Sequence, residues 1–257
     1  MRLIIIAGVF SMLFSLFATP LLIKFLKRRG RSQAIRVSDG NINYPEHQAK
    51  VGTPSMGGLA ILGGAVVGYS MAHLILWRPP TLSALMALGL MFGLALVGFA
   101  DDYLKIYKQN SRGIRARTKL LGQAFVAFAF GYASLSYPDE LGRTPGSTAL
   151  SFVRDTNIIL PTVLFILLVW FLVTAATNAV NLTDGLDGLA AGAAVLTLGA
   201  YILIGVFEFN QNCSFEQNAT CYDVRDPLDL AVFAAAVAGA CISTPLASSF
   251  LASKYAC

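Results

Sequence analysis

The chain has 257 residues, of which 56% are hydrophobic and only 13% are charged, about half the charged fraction of roughly 25% found in soluble domains. A soluble domain of this size needs far more polar surface, which excludes the soluble enzyme classes. Segments of roughly ten residues with alternating hydrophobicity, which are typical of outer-membrane barrels, do not occur. We therefore predict an all-α polytopic integral membrane protein, since a lipid-facing backbone must satisfy its own hydrogen bonds.

Apolar runs of roughly 20 residues, the length of a membrane-spanning helix, predict about seven transmembrane helices. They cover approximately residues 3–26, 56–77, 81–100, 119–136, 158–177, 188–207 and 228–247. The first run is too long for the apolar part of a signal peptide, and no small-residue cleavage site follows it. Pro79-Pro80 predicts a tight turn between the second and third spans. We expect residues 1–257 to form a single transmembrane domain.

The basic residues predict the orientation of these spans. The segments 24–50 and 101–119 hold most of the Lys and Arg residues, and the alternate loops hold few. By the positive-inside rule both segments are cytoplasmic, and the N-terminus is outside. The loop 208–227 then also lies outside, where Cys213 and Cys221 would pair if that compartment is oxidising. We therefore attribute the net charge of +5 to the orientation of the spans and to the binding of anionic ligands, and not to the binding of nucleic acid.

An adjacent acid pair, Asp101-Asp102, directly follows the apolar run that ends at Ala100. Two neighbouring carboxylates at the edge of a span repel each other, and acids in such positions are candidates for function. A divalent cation would relieve the repulsion, and hard oxygen ligands suit Mg²⁺. The alternative is an interfacial acid pair in water that is balanced by Lys105.

A second polar motif, NAVNLTDGLDGLA at 178–190, carries Asn178, Asn181, Asp184 and Asp187 at successive spacings of three. In a helix these groups would share one face. The alternative is a cytoplasmic turn with capping Asn and Asp residues. A calcium-binding hand is not indicated, because the D-x-D-x-D-G run and the terminal Glu are missing.

A third motif, KVGTPSMGGLAILGG at 50–64, predicts a loop that enters a helix. Backbone N–H groups at a helix start attract phosphate, and Lys50 adds positive charge. The GK[ST] ending of a P-loop is absent. Gly64 and Gly68 have the spacing of a small-xxx-small contact between membrane helices, and we expect both properties, in different parts of the segment.

The basic stretch from Lys105 to Lys119 enforces topology or contacts anionic lipid, and beside paired acids it would also bind a pyrophosphate. By the predicted topology, the acid pair, the Asn/Asp motif and the Gly-rich motif all lie on the cytoplasmic face. Carboxylates, cations and a Gly-rich turn at one interface suit phosphoryl transfer, which depends on positioning and charge neutralisation.

These motifs also carry a family resemblance over residues 1 to about 240. The chain resembles the polyprenyl-phosphate N-acetylhexosamine-1-phosphate transferase superfamily, and within it the enzymes that transfer phospho-N-acetylmuramoyl-pentapeptide. The matching pieces are QAIR at 33–36, HQAKVGTPSMGG at 47–58, GFADDYLKI at 98–106, SRGIRARTKLLGQ at 111–123 and NAVNLTDGLDGLA at 178–190.

The resemblance implies transfer from the UDP-linked precursor, UDP-N-acetylmuramoyl-pentapeptide, to undecaprenyl phosphate, giving lipid I and UMP with Mg²⁺ as cofactor. This is the first membrane step of peptidoglycan synthesis, at the bacterial cytoplasmic (inner) membrane, with the active site facing the cytoplasm and a homodimer as the expected assembly. One alternative is a relative that transfers N-acetylglucosamine 1-phosphate. Another is a transporter or scaffold, for which acids would lie at mid-bilayer between inverted halves.

The resemblance also implies residue roles. Asp101, Asp102 and Asp184 would be catalytic, with Asp101 a candidate base, and Asp102 and Asp184 would bind the metal. Ser55 stands where the family usually has Thr. The residues implied to contact substrate are Lys50, Ser55, Lys105, Lys119, Asn181 and Asp187.

The chain departs from the family pattern after about Gly239, and its tail diverges from about residue 241. Family members have ten spans and continue with a metal-binding Asp and a His-rich loop, neither of which the sequence CISTPLASSFLASKYAC supplies. We therefore expect a C-terminally truncated form. Loss of such electrostatic groups should lower its rate by several powers of ten.

The predicted topology is tested by cysteine accessibility in intact cells. A cysteine placed at Gly146 should react with an impermeant thiol reagent from outside, and one placed at Ser111 should react only after the membrane is opened. Labelling of the Ser111→Cys variant from outside would show that the orientation is wrong.

Overall fold

The computed structural model describes residues 1–28, 57–107, 113–151, 154–183, 188–213 and 221–255. Within these ranges the chain forms seven helices, one for each predicted span. They are α1 (Arg2–Arg28), α2 (Gly58–Leu76), α3 (Leu82–Tyr107), α4 (Ala116–Ser134), α5 (Thr162–Thr183), α6 (Leu189–Asn210) and α7 (Pro227–Tyr255).

Five of the described helices, α1, α2, α3, α5 and α6, are long and apolar enough to cross a membrane. The apolar part of α7, Pro227–Ser243, is shorter. The predicted Pro79-Pro80 turn lies between α2 and α3, as expected. Within the described residues, these helices agree with the predicted polytopic, helical membrane protein.

A short antiparallel hairpin precedes α5 and was not predicted. β1 (Ala149–Ser151) pairs with β2 (Asp155–Ile159), and Ala149 lies opposite Ile159. The predicted span began at residue 158 because Ile158 and Ile159 extend the apolar run. The helix instead begins at Thr162, directly after Pro161, because β-branched residues favour the strand and proline favours a helix start.

Small residues bring α1, α2 and α7 into close contact. Gly68 of α2 faces α1 so tightly that a Cβ atom there would lie 2.8 Å from the Ser11 nitrogen. Ser15 Oγ donates a hydrogen bond to Ala60 O at 2.9 Å, which joins α1 to α2. The predicted small-xxx-small contact at Gly64 and Gly68 is therefore confirmed, because membrane helices associate by close packing without a hydrophobic driving force.

Helix α7 is the central helix of the described bundle and packs against α1, α2, α3 and α6. Its first half buries a run of small residues that includes Ala231, Val232 and Ala236. Helix α5, in contrast, has no buried residue. Its exposed apolar side chains are those expected of a surface in contact with lipid.

A buried carboxylate, Asp229, joins α2, α3 and α7 at the end where α7 begins. Tyr69 OH donates to Asp229 Oδ2 at 2.9 Å, and Thr81 donates to the same oxygen through N–H (2.8 Å) and Oγ1 (2.7 Å). His73 Nε2 lies 2.9 Å from Asp229 Oδ1, and His73 Nδ1 lies 2.8 Å from Arg78 O. Neither His73 nor Asp229 is among the site residues predicted from the sequence.

We predict that a side chain added at Gly68 destabilises the protein, and that a side chain added at a glycine that faces lipid does not. Gly68→Ala should destabilise the protein by about 1–3 kcal/mol, the usual cost of overpacking. Gly89→Ala in α3 is the matched control, because no atom lies within 4 Å of the place that a Cβ atom would take there and alanine has the higher helix propensity. Thermal unfolding in detergent measures both, and equal shifts would contradict the prediction.

Candidate active site

A cavity of about 290 Å³ lies at the end of the bundle where α2 and α4 begin and α3 and α5 end. Five of the nine predicted site residues line it, so the structure brings together side chains from three separate motifs. The lining residues are Gly58, Leu59, Leu62, Ala95, Gly98, Phe99, Asp101, Asp102, Lys105, Lys119 and Asn181.

The acid pair and a lysine share one turn of α3. Lys105 Nζ lies 2.6 Å from Asp101 Oδ2 and 3.6 Å from Asp102 Oδ1. Spacings of four and three residues place both carboxylates beside the lysine on the helix surface. The ammonium group therefore offsets the repulsion between the two acids, as the interfacial alternative supposed, but it does so inside a cavity.

The two carboxylates are held differently. The Asp101 side chain is only 12% exposed, and its Oδ1 accepts a hydrogen bond from the Ile114 backbone N–H at 2.8 Å. Both of its oxygens thus have a partner. The Asp102 side chain is 33% exposed, and Lys105 is its ion-pair partner within the described residues. Asp102 is accordingly the more accessible of the two carboxylates, and therefore the better placed to bind a ligand.

The N-terminus of α2 also reaches the cavity. The helix begins at Gly58, as the third motif predicted, and Gly57 precedes it without a side-chain capping bond. Because the first N–H groups of a helix lack partners within the helix, this end carries partial positive charge that suits a phosphate group. Lys50 and Ser55, which precede it, lie outside the described residues.

The Asn/Asp motif begins on α5. Asn178 and Asn181 lie on the helix, which is one of the two alternatives considered for this motif, and Asn181 lines the cavity. Asn178 Nδ2 donates to Thr174 O at 2.8 Å and lies 3.5 Å from Gln123 Oε1. Helix α6 begins after Gly188 without a side-chain cap. Asp184 and Asp187 lie outside the described residues.

Two residues that contact the predicted polar motifs were missed by sequence reasoning. Ile114 acts through its backbone N–H, so its side chain gives no signal. Gln123, only 3% exposed in an apolar stretch of α4, does give one, because buried polar residues in membrane helices are candidates for function.

A larger cavity of about 660 Å³ opens at the opposite end of the bundle. Its two arginines are already engaged: Arg225 donates to Arg143 O at 2.6 Å, and Arg143 pairs with Asp139 at 2.9 Å. Cys213 and Cys221 form a disulfide at this end, so the pairing considered from the sequence is present. We take the smaller cavity as the candidate active site, because two adjacent carboxylates and two lysines, Lys105 and Lys119, line it together.

Two family models match the chain. Residues 84–250, which include the acid pair, match the model of glycosyl transferase family 4. This match defines the class of the protein as a membrane-embedded glycosyl transferase. Residues 50–62 match signature 1 of the phospho-N-acetylmuramoyl-pentapeptide-transferases, and they include the start of α2 at the cavity.

Individual relatives show which family within this class the chain belongs to. A phospho-N-acetylmuramoyl-pentapeptide-transferase of Streptomyces avermitilis is 49% identical over 245 residues, covering 94% of this chain and 68% of that protein. Proteins of the same name from Streptomyces coelicolor (94% of this chain, 69% of that protein) and Kineococcus radiotolerans (94% and 68%) are each 48% identical. The chain belongs to the phospho-N-acetylmuramoyl-pentapeptide-transferase family.

Proposed function

We propose that this chain transfers phospho-N-acetylmuramoyl-pentapeptide from its UDP-linked precursor to undecaprenyl phosphate, which gives lipid I and UMP. The observation that carries the proposal is the cavity in which Asp102, Lys105, Lys119 and Asn181 converge beside the α2 N-terminus. The names of the relatives supply the substrate.

The reaction exchanges one phosphoanhydride (P–O–P) bond for another. An oxygen of the lipid phosphate bonds to the phosphorus that carries the sugar, and the bond from that phosphorus to the bridging oxygen breaks. UMP leaves with the bridging oxygen and its electron pair. A phosphate monoester has a second pKa near ~6 and is mostly ionised at neutral pH, so neutralising charge matters more than removing a proton.

The cations and the helix end of the cavity provide that neutralisation. Lys105 and Lys119 would contact the pyrophosphate together with the first N–H groups of α2. Asn181 would orient the donor, with Lys50, Ser55 and Asp187 as further contacts implied by the family. Asp101 is less suited to act as a base, because Lys105 and the Ile114 N–H already occupy its two oxygens.

The carboxylates of the candidate site are suitable ligands for Mg²⁺. This cation is usually bound by one or two carboxylates together with substrate phosphates, and Asp102 presents an available carboxylate in the cavity. Asp184, three residues after Asn181, would be the second ligand. Bound there, Mg²⁺ would stabilise the negative charge that develops on the phosphoryl oxygens.

We further propose that the protein lies in the bacterial cytoplasmic membrane with this cavity facing the cytoplasm. The cavity lies at the end of the bundle that carries the basic segments, which the positive-inside rule assigns to the cytoplasm. This orientation would give the cavity access to a water-soluble UDP-linked donor.

Replacing Asp102 tests the site. Asp102→Asn should lower the rate of lipid I formation by about 10²–10³-fold, the usual loss when one electrostatic group is removed from a polar active site. Asp155→Asn, which alters an acid of the opposite cavity, should leave the rate near wild type. Near-normal lipid I formation by Asp102→Asn would remove this residue from the mechanism.

The choice of donor tests the assigned reaction. Membranes that contain the protein, undecaprenyl phosphate and Mg²⁺ should release UMP from UDP-N-acetylmuramoyl-pentapeptide and not from UDP-N-acetylglucosamine. Removal of Mg²⁺ with a chelator should stop the release, and added Mg²⁺ should restore it. Preference for UDP-N-acetylglucosamine would assign the chain to the other branch of the superfamily, and release from neither donor would contradict the proposal.

A further inference from the structure

We propose that Gly113 is a positioning residue for the transfer reaction. Its backbone conformation and its lack of a side chain allow the neighbouring Ile114 N–H to hold the Asp101 carboxylate, and through Asp101 the Lys105 ammonium group. The catalytic importance of this arrangement rests on the function proposed above, whereas the arrangement itself is a property of the structure.

The first observation is the conformation of Gly113. Its φ angle is +62°, in the left-handed region that glycine adopts without the steric cost paid by other residues. The next residue, Ile114, then donates its N–H to Asp101 Oδ1 at 2.8 Å. The bond connects the segment before α4 with the last turns of α3, so Gly113 determines where the N–H points.

The second observation is the space around Gly113. A Cβ atom added there would overlap Asp101 Oδ1 and would lie 2.7 Å from Lys105 Cε and 3.1 Å from Asp101 Cγ. Contacts shorter than 3.0 Å require something to move. The atoms that would have to move belong to the ion pair of the active site.

The consequence follows from the short Asp101–Lys105 contact. If the carboxylate leaves the Ile114 N–H, its other oxygen can no longer hold Lys105 at 2.6 Å. Lys105 is also the cation beside Asp102, so the charge balance of the cavity changes with it. A displacement of about 1 Å in a catalytic constellation can cost on the order of 10²-fold in rate.

Gly142 provides a matched control. It also has a left-handed conformation, with φ of +75°, but no atom lies within 4 Å of a Cβ atom added there. Gly142→Ala therefore introduces backbone strain without a clash. Gly113→Asn tests the clash with less backbone strain. Asparagine tolerates the left-handed region better than alanine, but it still carries the clashing Cβ atom.

The kinetic experiment compares these three variants in the purified protein. Gly113→Ala and Gly113→Asn should each lower kcat by about 10–100-fold, with most of the loss in kcat and little in KM, because the ion pair acts on charge that develops in the transition state. Gly142→Ala should stay within about twofold of wild type. If Gly113→Ala does not fold, Gly113→Asn is compared with the wild type and with Gly142→Ala instead, because its backbone strain is smaller.

A second readout does not depend on transferase activity. A short pulse of acetic anhydride, followed by mass spectrometry, measures the reactivity of the Lys105 amine, which is held in an ion pair in the wild type. Its acetylation should rise several-fold in both Gly113 variants and stay at the wild-type level in Gly142→Ala.

The two readouts separate the two proposals. If the wild type releases no UMP from any UDP-sugar while Lys105 acetylation changes as expected, the assigned reaction is wrong and the Gly113–Asp101–Lys105 arrangement stands. If the wild type is active and the Gly113 variants match it in kcat, or lose kcat with unchanged Lys105 acetylation, the positioning role is overturned.

Discussion

The hydrogen bonds to Asp229 join three helices that have no hydrophobic reason to stay together in lipid. Tyr69 and His73 come from α2, and Thr81 precedes α3. Helix α3 is thereby fixed at one end, and the acid pair follows some 20 residues later, about 30 Å away at 1.5 Å per residue. The bond between Asp101 and Ile114 fixes the other end, so the helix that carries the acid pair is held at both of its termini.

The acidic residues at the two ends of the bundle, Asp229 at one and Asp101 and Asp102 at the other, differ in how many polar partners their carboxylate oxygens have. Asp229 has four polar partners, and a buried network that is fully satisfied rigidifies a structure. Asp101 has two partners and serves the geometry of the cavity. Asp102 has one ion-pair partner among the described residues and is part-exposed, which makes it the acid of the three that is most open to a ligand.

The periodic and local features of this chain were predictable from sequence, and its long-range polar contacts were not. The apolar runs predicted each helix, and the Gly64/Gly68 spacing predicted a helix contact, because both depend on neighbouring residues alone. Asp229 pairs with groups about 150 residues earlier. Ile114 contributes a backbone atom, and no side-chain pattern signals that. The hairpin before α5 was hidden because its isoleucines extend an apolar run.

The separation of these contacts along the chain has a consequence for membrane insertion. Asp101 and Lys105 pair within a single helix, four residues apart, so α3 can partition into the bilayer with these two charges already matched. Asp229 has no such local partner among its described contacts; the groups that bind it come from α2 and the start of α3. The docking of α7 therefore depends on helices that are synthesised much earlier, and an error in their placement leaves Asp229 unpaired when α7 inserts.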